Sequence, residues 1–247
     1  MKIIIQAGGK GTRLEGLTRN KPKCLVPVNN LPIIFYAFEK FKDAQFIIIA
    51  DYKVDVLEKY LNTFACNYDF KIIKAQKSGT ISGIKDAISS FKEDESFMIM
   101  WCDLILSQNF ELPKQGGGNY IGISKDFECR WSFVDNHFVK EASKENGVAG
   151  LFVFENKKVL ENIAEEGAFV PWLQKQNIHF ERIDLYGSKE IGTLLSYSDN
   201  NDSKPVCRPF NHIEFKDDRV IKKAINDEGK KIALDELAWY KHIEELN

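Results

Sequence analysis

The chain has 247 residues, enough for one body with a substantial core plus a smaller appendage. Its 34 Lys and Arg against 36 Asp and Glu give a formal net charge of −2, so no global basic field argues for nucleic acid and any anion site must be a local cluster. Five scattered cysteines without a CxxC pair offer neither a disulfide framework nor a zinc knuckle. No apolar run reaches signal-peptide or membrane-spanning length, so the expectation is a soluble, cytoplasmic protein with no membrane or nucleic-acid partner.

In chain order, β-rich runs fall at Ile3–Ile5, Phe46–Ala50, Lys71–Ala75, Phe97–Trp101, Tyr120–Ser124, Leu151–Phe154 and Ile183–Tyr186. Helical spacing separates the first four, over Ile33–Phe41, Val54–Phe64 and Gly83–Phe91. That alternation predicts an α/β protein with a doubly wound, mainly parallel, Rossmann-like sheet. In such sheets ligands bind beyond the carboxyl ends of the strands. The AGGKGTR turn from Ala7, the segment after Ala75 and Asp103 after Trp101 should therefore converge on one crevice. The polar stretch Ser198–Pro205 reads as a linker, followed by two short strands around Asp217–Asp218 and a closing amphipathic helix. The expected division is a main domain over 1–200 and a hairpin-plus-helix extension over 201–247.

The chemistry concentrates in the first turn. A buried strand running into glycine-dense sequence leaves backbone N–H groups that no side chain blocks, which a polyphosphate needs for close approach. Arg13, Lys21 and Lys23 add charge around it. Leu14 stands where a dinucleotide fingerprint wants its third glycine, and no GK[ST] follows as a P-loop demands. A glycine turn after a strand is often purely structural. Thr12-Arg13 followed by Pro22-Lys23-Cys24-Leu25 shifts the balance toward a nucleotide site.

AGGKGTRL followed by KPKCLVPVNNLPIIFYAF resembles the start of the nucleotidyltransferases that activate sugar phosphates and related phosphorylated metabolites with a nucleoside triphosphate. Three later segments keep the family's order, so the resemblance spans roughly Met1 to Asn200. It implies the nucleotide-diphospho-sugar transferase fold, with Ala7, Gly8, Gly9, Gly11, Thr12, Arg13 and Lys23 around the triphosphate. AQKSGTISGIKDA is similar to the base-recognition loop, with Gln76, Gly79 and Thr80 toward the nucleobase and Ser82 free to cap the helix or touch ligand. FMIMWCDLIL ends in Asp103, which matches the family's magnesium ligand. KEIGTLLSY puts Glu190 where the family usually carries Asp-x-Gly-Thr, whose Asp is the second ligand.

The departures matter as much. KEASKENG replaces the Glu-Lys-Pro whose Lys grips the acceptor phosphate, so Lys140 and Lys144 both stand for that role, with Arg130 beside the acceptor pocket. The four histidines show no ligand spacing, and the tryptophans suit core or pocket wall. The tail is similar to the opening hairpin and helix of choline or aminoglycoside kinases; without that fold's catalytic part, docking or homodimer formation is its simpler expected role. The resemblance implies transfer of a nucleotide from a triphosphate to a phosphorylated small molecule, with Mg2+ as cofactor, Arg13, Lys23 and Asp103 as catalytic residues, and pyrophosphate released. CTP, UTP or dTTP rank above purines, and the likeness is greatest to cytidylyltransferases of bacterial surface-polysaccharide modification. The rival readings are a sugar-phosphate or phosphocholine nucleotidylyltransferase, a catalytically silent nucleotide-binding regulator, and a dehydrogenase.

Overall fold

The structure, a computed structural model, describes residues 1–113, 117–201, 210–216 and 219–245. Two compact units are present, Met1–Asp202 and Ser203–Asn247.

The first unit runs β1 (Lys2–Gln6), β2 (Pro27–Val28), β3 (Leu31–Pro32), α1 (Ile33–Lys40), β4 (Gln45–Ala50), α2 (Val54–Phe64), β5 (Asp69–Lys74), α3 (Ile84–Ser89), β6 (Phe97–Trp101) and β7 (Leu104–Ile105). It continues with β8 (Tyr120–Ser124), β9 (Ser132–Val134), β10 (His137–Val139), β11 (Gly147–Phe154), α4 (Phe169–Leu173), β12 (Glu181–Leu185), β13 (Lys189–Glu190) and α5 (Leu194–Asn200). Two 3-10 helices, Thr12–Thr18 and Lys23–Leu25, follow β1.

β1 is a run of β-branched residues covered on both faces, the pattern of a central parallel strand. It lies between β4 and β6, parallel to both, with Ile4 opposite Ile47 on one side and Ile99 on the other. The chain thus winds outward from β1 in two directions, which opens a crevice at the carboxyl end of β1. Side chains alternate between two cores. Ile3 and Ile5 join Phe38 of α1 with Leu57 and Leu61 of α2, whereas Ile4 joins Ile84 and Ile88 of α3 with Phe169 and Leu173 of α4.

Beyond β6 the sheet changes character: β11 runs antiparallel to β6 and to β8, and β12 returns parallel to β8. β11 shifts register between Val148 and Phe152, around Gly150, whose φ is +82°. A Cβ there would stand 2.2 Å from the Trp101 ring, so the glycine lets the indole lie against the strand. The sequence reading has no strands at β9 and β10. They form a hairpin around Asp135 and Asn136, both with positive φ, as a two-residue type I′ loop requires.

Two short strands position the acids. β13 pairs with β7 so that Glu190 faces Leu104, and the Ile191 amide donates to the Asp103 carbonyl at 2.8 Å. The stretch read as a linker from Ser198 begins as the last turn of α5, and residues 202–209, with Cys207, lie outside the described residues.

In the second unit β14 (Asn211–Lys216) and β15 (Arg219–Ala224) form an antiparallel hairpin, and Lys222 ties β15 to Glu236 of α6 (Asp227–Glu245) at 2.6 Å. The Asp217–Asp218 turn lies outside the described residues. Among the described residues no helix is long and apolar enough to cross a membrane.

Candidate active site

The glycine turn begins once the sheet has used its last hydrogen bond. The Ala7 amide still donates to the Ile49 carbonyl at 2.8 Å, so Ala7 anchors the turn and has no N–H to offer a ligand. The amides of Gly8, Gly9, Lys10 and Gly11 donate to no described group. Unpaired donors at a strand end are groups that an anion could use. Gly11 shapes it: φ is +65°, and a Cβ would come 2.9 Å from Thr18 Cγ2 and 3.1 Å from Lys23 Cβ. Thr18 closes the turn by donating to the Gly11 carbonyl at 3.1 Å. Thr12 opens the following 3-10 helix, and Arg13 projects from it into the crevice.

Pro22 introduces the short helix that carries Lys23 inward, where it is 8% exposed. Its ammonium forms an ion pair with Asp103, also 8% exposed. Asp103 lies close enough to act on the charge of Glu190, and Arg13 Nη2 stands 3.9 Å from Glu190 Oε1. Burial pushes the Glu190 carboxyl up to about 7, reinforced by the negative Asp103 and opposed by Lys23 and Arg13. Burial alone would lower Lys23, but Asp103, Cys102 and Glu190 outweigh it and hold the ammonium above its ordinary value. Two half-desolvated carboxylates in contact repel, and an added cation between them relieves that repulsion.

Among the described residues no group of three or more His, Cys, Asp or Glu side chains is arranged to hold a metal. Asp103 and Glu190 supply two hard oxygen donors, which suits an ion such as Mg2+ that fills the rest of its shell with phosphate oxygens and water.

These groups open on a crevice of about 410 Å3 whose polar end is Arg13, Lys23, Asp103 and Glu190 and whose walls include Trp101, Trp131 and Phe169. A second cavity of about 740 Å3 shares Arg13, Arg130 and Glu190 with it and reaches Lys189 and Asp199. A third, of about 200 Å3, lies over Gly8, Gly9, Asp51, Gly79, Thr80 and Ser82.

Sequence-predicted residues from four distant segments therefore meet. Arg130 lines both larger cavities, whereas Lys140 and Lys144 line none of the three. Gln76 is exposed, turns its amide to the Lys74 carbonyl at 3.2 Å and lies outside the third cavity's lining. Gly79 and Thr80 do line it: Gly79 has φ +90° and packs so tightly on Gly167 that a Cβ would sit 2.2 Å from its carbonyl oxygen. Ser82 does not cap α3: its hydroxyl accepts from the Lys77 amide at 3.0 Å, and the residue lines the third cavity.

Gln6 escaped the sequence reading as a site residue, whereas Trp101 takes the pocket-wall place that reading left open to it. Gln6 Nε2 donates to the Thr80 carbonyl, bracing the Gly79–Thr80 loop on β1, while Gln6 Oε1 and Trp101 Nε1 are buried without a partner among the described residues. A polar residue closing the run Ile3-Ile4-Ile5 was the available signal.

This is the nucleotide-diphospho-sugar transferase fold. Residues 2–113, a little under half of the chain, match the family model described as nucleotidyl transferase. Over 116 residues the chain is 32% identical to the CTP:phosphoglutamine cytidylyltransferase of Campylobacter jejuni, covering 44% of this chain and 46% of that relative. The match thus spans a little under half of that curated relative's length. Among solved structures, HddC from Yersinia pseudotuberculosis complexed with GMP-PN superposes with a TM-score of 0.65 at 22% identity, over 81% of this chain and 97% of that one. The CTP:phosphocholine cytidylyltransferase LicC of Streptococcus pneumoniae superposes with a TM-score of 0.62 at 20% identity, over 80% and 96%.

Proposed function

We propose that the chain is a nucleotidyltransferase that joins the nucleoside monophosphate of a triphosphate, CTP first, to a phosphorylated small-molecule acceptor. The observation that carries this reading is the meeting of Arg13, Lys23, Asp103 and Glu190 at the mouth of the open-amide turn.

In this reading an acceptor phosphate oxygen attacks the α-phosphorus. The bond from that phosphorus to the bridging oxygen breaks, and the electron pair leaves on pyrophosphate. The acceptor is already an anion, so no side chain has to remove a proton; catalysis is alignment and charge neutralisation. The Gly8–Gly11 amides hold the triphosphate tail, and Arg13 and Lys23 offset charge building on the leaving group. Asp103 and Glu190 would hold Mg2+, which supplies charge neutralisation between the α-phosphate and the acceptor. Gly79 and Thr80 face the base, with Gln76 reaching it by leaving the Lys74 carbonyl.

Cytidine is supported by the names of the Campylobacter and Streptococcus relatives. Phosphoglutamine is the acceptor we favour, on the first of those names and on KEASKENG in place of Glu-Lys-Pro, with a role in capsule or surface-polysaccharide modification and a cytoplasmic site of action. Arg130 is the acceptor-side cation of this reading; Lys140 or Lys144 would have to swing in to serve. Phosphocholine or a sugar phosphate is the alternative acceptor.

Pyrophosphate release in Mg2+, over CTP, UTP, GTP and ATP against phosphoglutamine, phosphocholine and hexose 1-phosphates, tests the proposal. Release with CTP and phosphoglutamine is expected. Triphosphate binding without release under every pairing would favour a silent regulator.

A further inference from the structure

The Glu190 carboxylate lies in the space that a side chain on residue 192 would occupy. A Cβ built on Gly192 would lie 1.9 Å from Glu190 Oε1, 2.6 Å from its Cδ and 2.8 Å from its Oε2, all far inside van der Waals contact. The carboxylate is folded back over the Gly192 Cα. The backbone of Gly192 is not in the left-handed region, so conformational freedom does not explain the glycine. Its value is the space.

The surroundings fix everything except the carboxylate. The β13–β7 pairing holds the Glu190 backbone opposite Leu104, and the Ile191 amide is bound to the Asp103 carbonyl. The Gly192 amide donates to Ser196 Oγ at 3.1 Å, and the Thr193–Ser196 capping box starts α5 immediately afterwards. A methyl group at 192 would therefore leave the main chain where it is, and the flexible end of Glu190 would yield. Moved off Gly192, that carboxylate loses its place beside Asp103 and Arg13.

We infer that Gly192 is a positioning residue: it seats the longer Glu190 arm so that the Glu190 and Asp103 carboxylates form one divalent-cation site at the triphosphate. The inference rests on the metal assignment of the proposed function and adds the group that makes a glutamate workable there. It also carries a sign that a structural glycine would not. In metal-free buffer at about pH 8, where Glu190 carries its charge, displacing that half-buried carboxylate from another carboxylate removes repulsion, so Gly192→Ala should melt there at or above the wild-type temperature while binding the metal less well.

The test is CTP affinity by titration calorimetry, with Mg2+ and with EDTA, on the full chain, with UTP, GTP and ATP run in parallel. Wild type should gain affinity with Mg2+. Gly192→Ala should lose that gain by about 10-fold or more, the usual scale for a residue that orients a metal ligand, with metal-free affinity unchanged. In a Glu190→Asp background, whose shorter side chain clears the new methyl, Gly192→Ala should change the Mg2+ gain less than about twofold. An unchanged gain in Gly192→Ala, an equal loss in the Glu190→Asp background, or a clear drop in melting temperature in that metal-free buffer would each overturn the inference. A wild type whose affinity ignores Mg2+ would instead remove the metal assignment beneath it.

Discussion

At the scale of single residues, the site is a balance of two cations and two carboxylates, and each has a separable role. Asp103→Asn should nearly abolish pyrophosphate release and reduce nucleotide binding mainly when Mg2+ is present; full turnover would contradict its assignment. Arg13→Ala should lower turnover by about a hundredfold, as for loss of a group that meets charge in the transition state, and an unchanged rate would remove it from the mechanism. Glu190 gives a pH signature. Its carboxyl is raised from 4.5 to about 7 by burial and by Asp103, so the folded protein keeps a proton there that the unfolded chain has already lost. Its contribution to stability is present below the ordinary carboxylate range and is lost as the pH rises through about 7. Urea melts of wild type and Glu190→Gln across that interval, without metal, should diverge in this direction, and parallel curves would contradict the reading. The glycine turn with Arg13 and Lys23 carried a local signal, cations beside a strand that runs into glycines, whereas Asp103 and Glu190 were singled out by the family resemblance and not by their spacing. The placement of Gln76 was not legible, since its exposed side chain finds a partner two residues back at Lys74, a local contact that strand and turn signals do not encode. Lys140 and Lys144 were chosen by position in the chain, and position alone does not say which way a loop side chain turns.

At the scale of elements, the parallel half of the sheet was readable and the antiparallel half only partly so. β1, β4, β5 and β6 are covered on one or both faces and separated by helices with clear periodicity, whereas β9 and β10 are three residues each and carry little pattern. Their signal was Asp135-Asn136, a pair suited to positive φ between apolar residues. Gly150 shows how an element serves the crevice. Its bulge admits the Trp101 indole, which packs edge-on to Phe152 at 6.5 Å and forms one wall. Gly150→Ala combines a positive φ with a contact of 2.2 Å against a packed ring. It should destabilise the fold by about 2 kcal/mol or more in chemical denaturation, and a change below about 0.5 kcal/mol would show that Trp101 is free to move.

At the scale of the whole molecule, every residue lining the three cavities falls within the first unit, Met1–Asp202. That unit has both faces of its sheet covered and its own cores. A chain ending at Asp202 should therefore bind triphosphate with the affinity of the full chain in calorimetry, and a loss of binding would assign the second unit a part in the site. The hairpin and helix of that second unit were legible from alternation and amphipathic spacing, but their purpose is not carried by either signal. The central claim, that the open-amide turn holds a triphosphate while Arg13, Lys23, Asp103 and Glu190 drive attack on its α-phosphorus, is tested most directly by continuous measurement of pyrophosphate from CTP and phosphoglutamine in Mg2+. The account predicts release that needs both substrates and the metal and that collapses in Asp103→Asn; no release with any triphosphate and phosphorylated acceptor, or release undiminished in that variant, would contradict it.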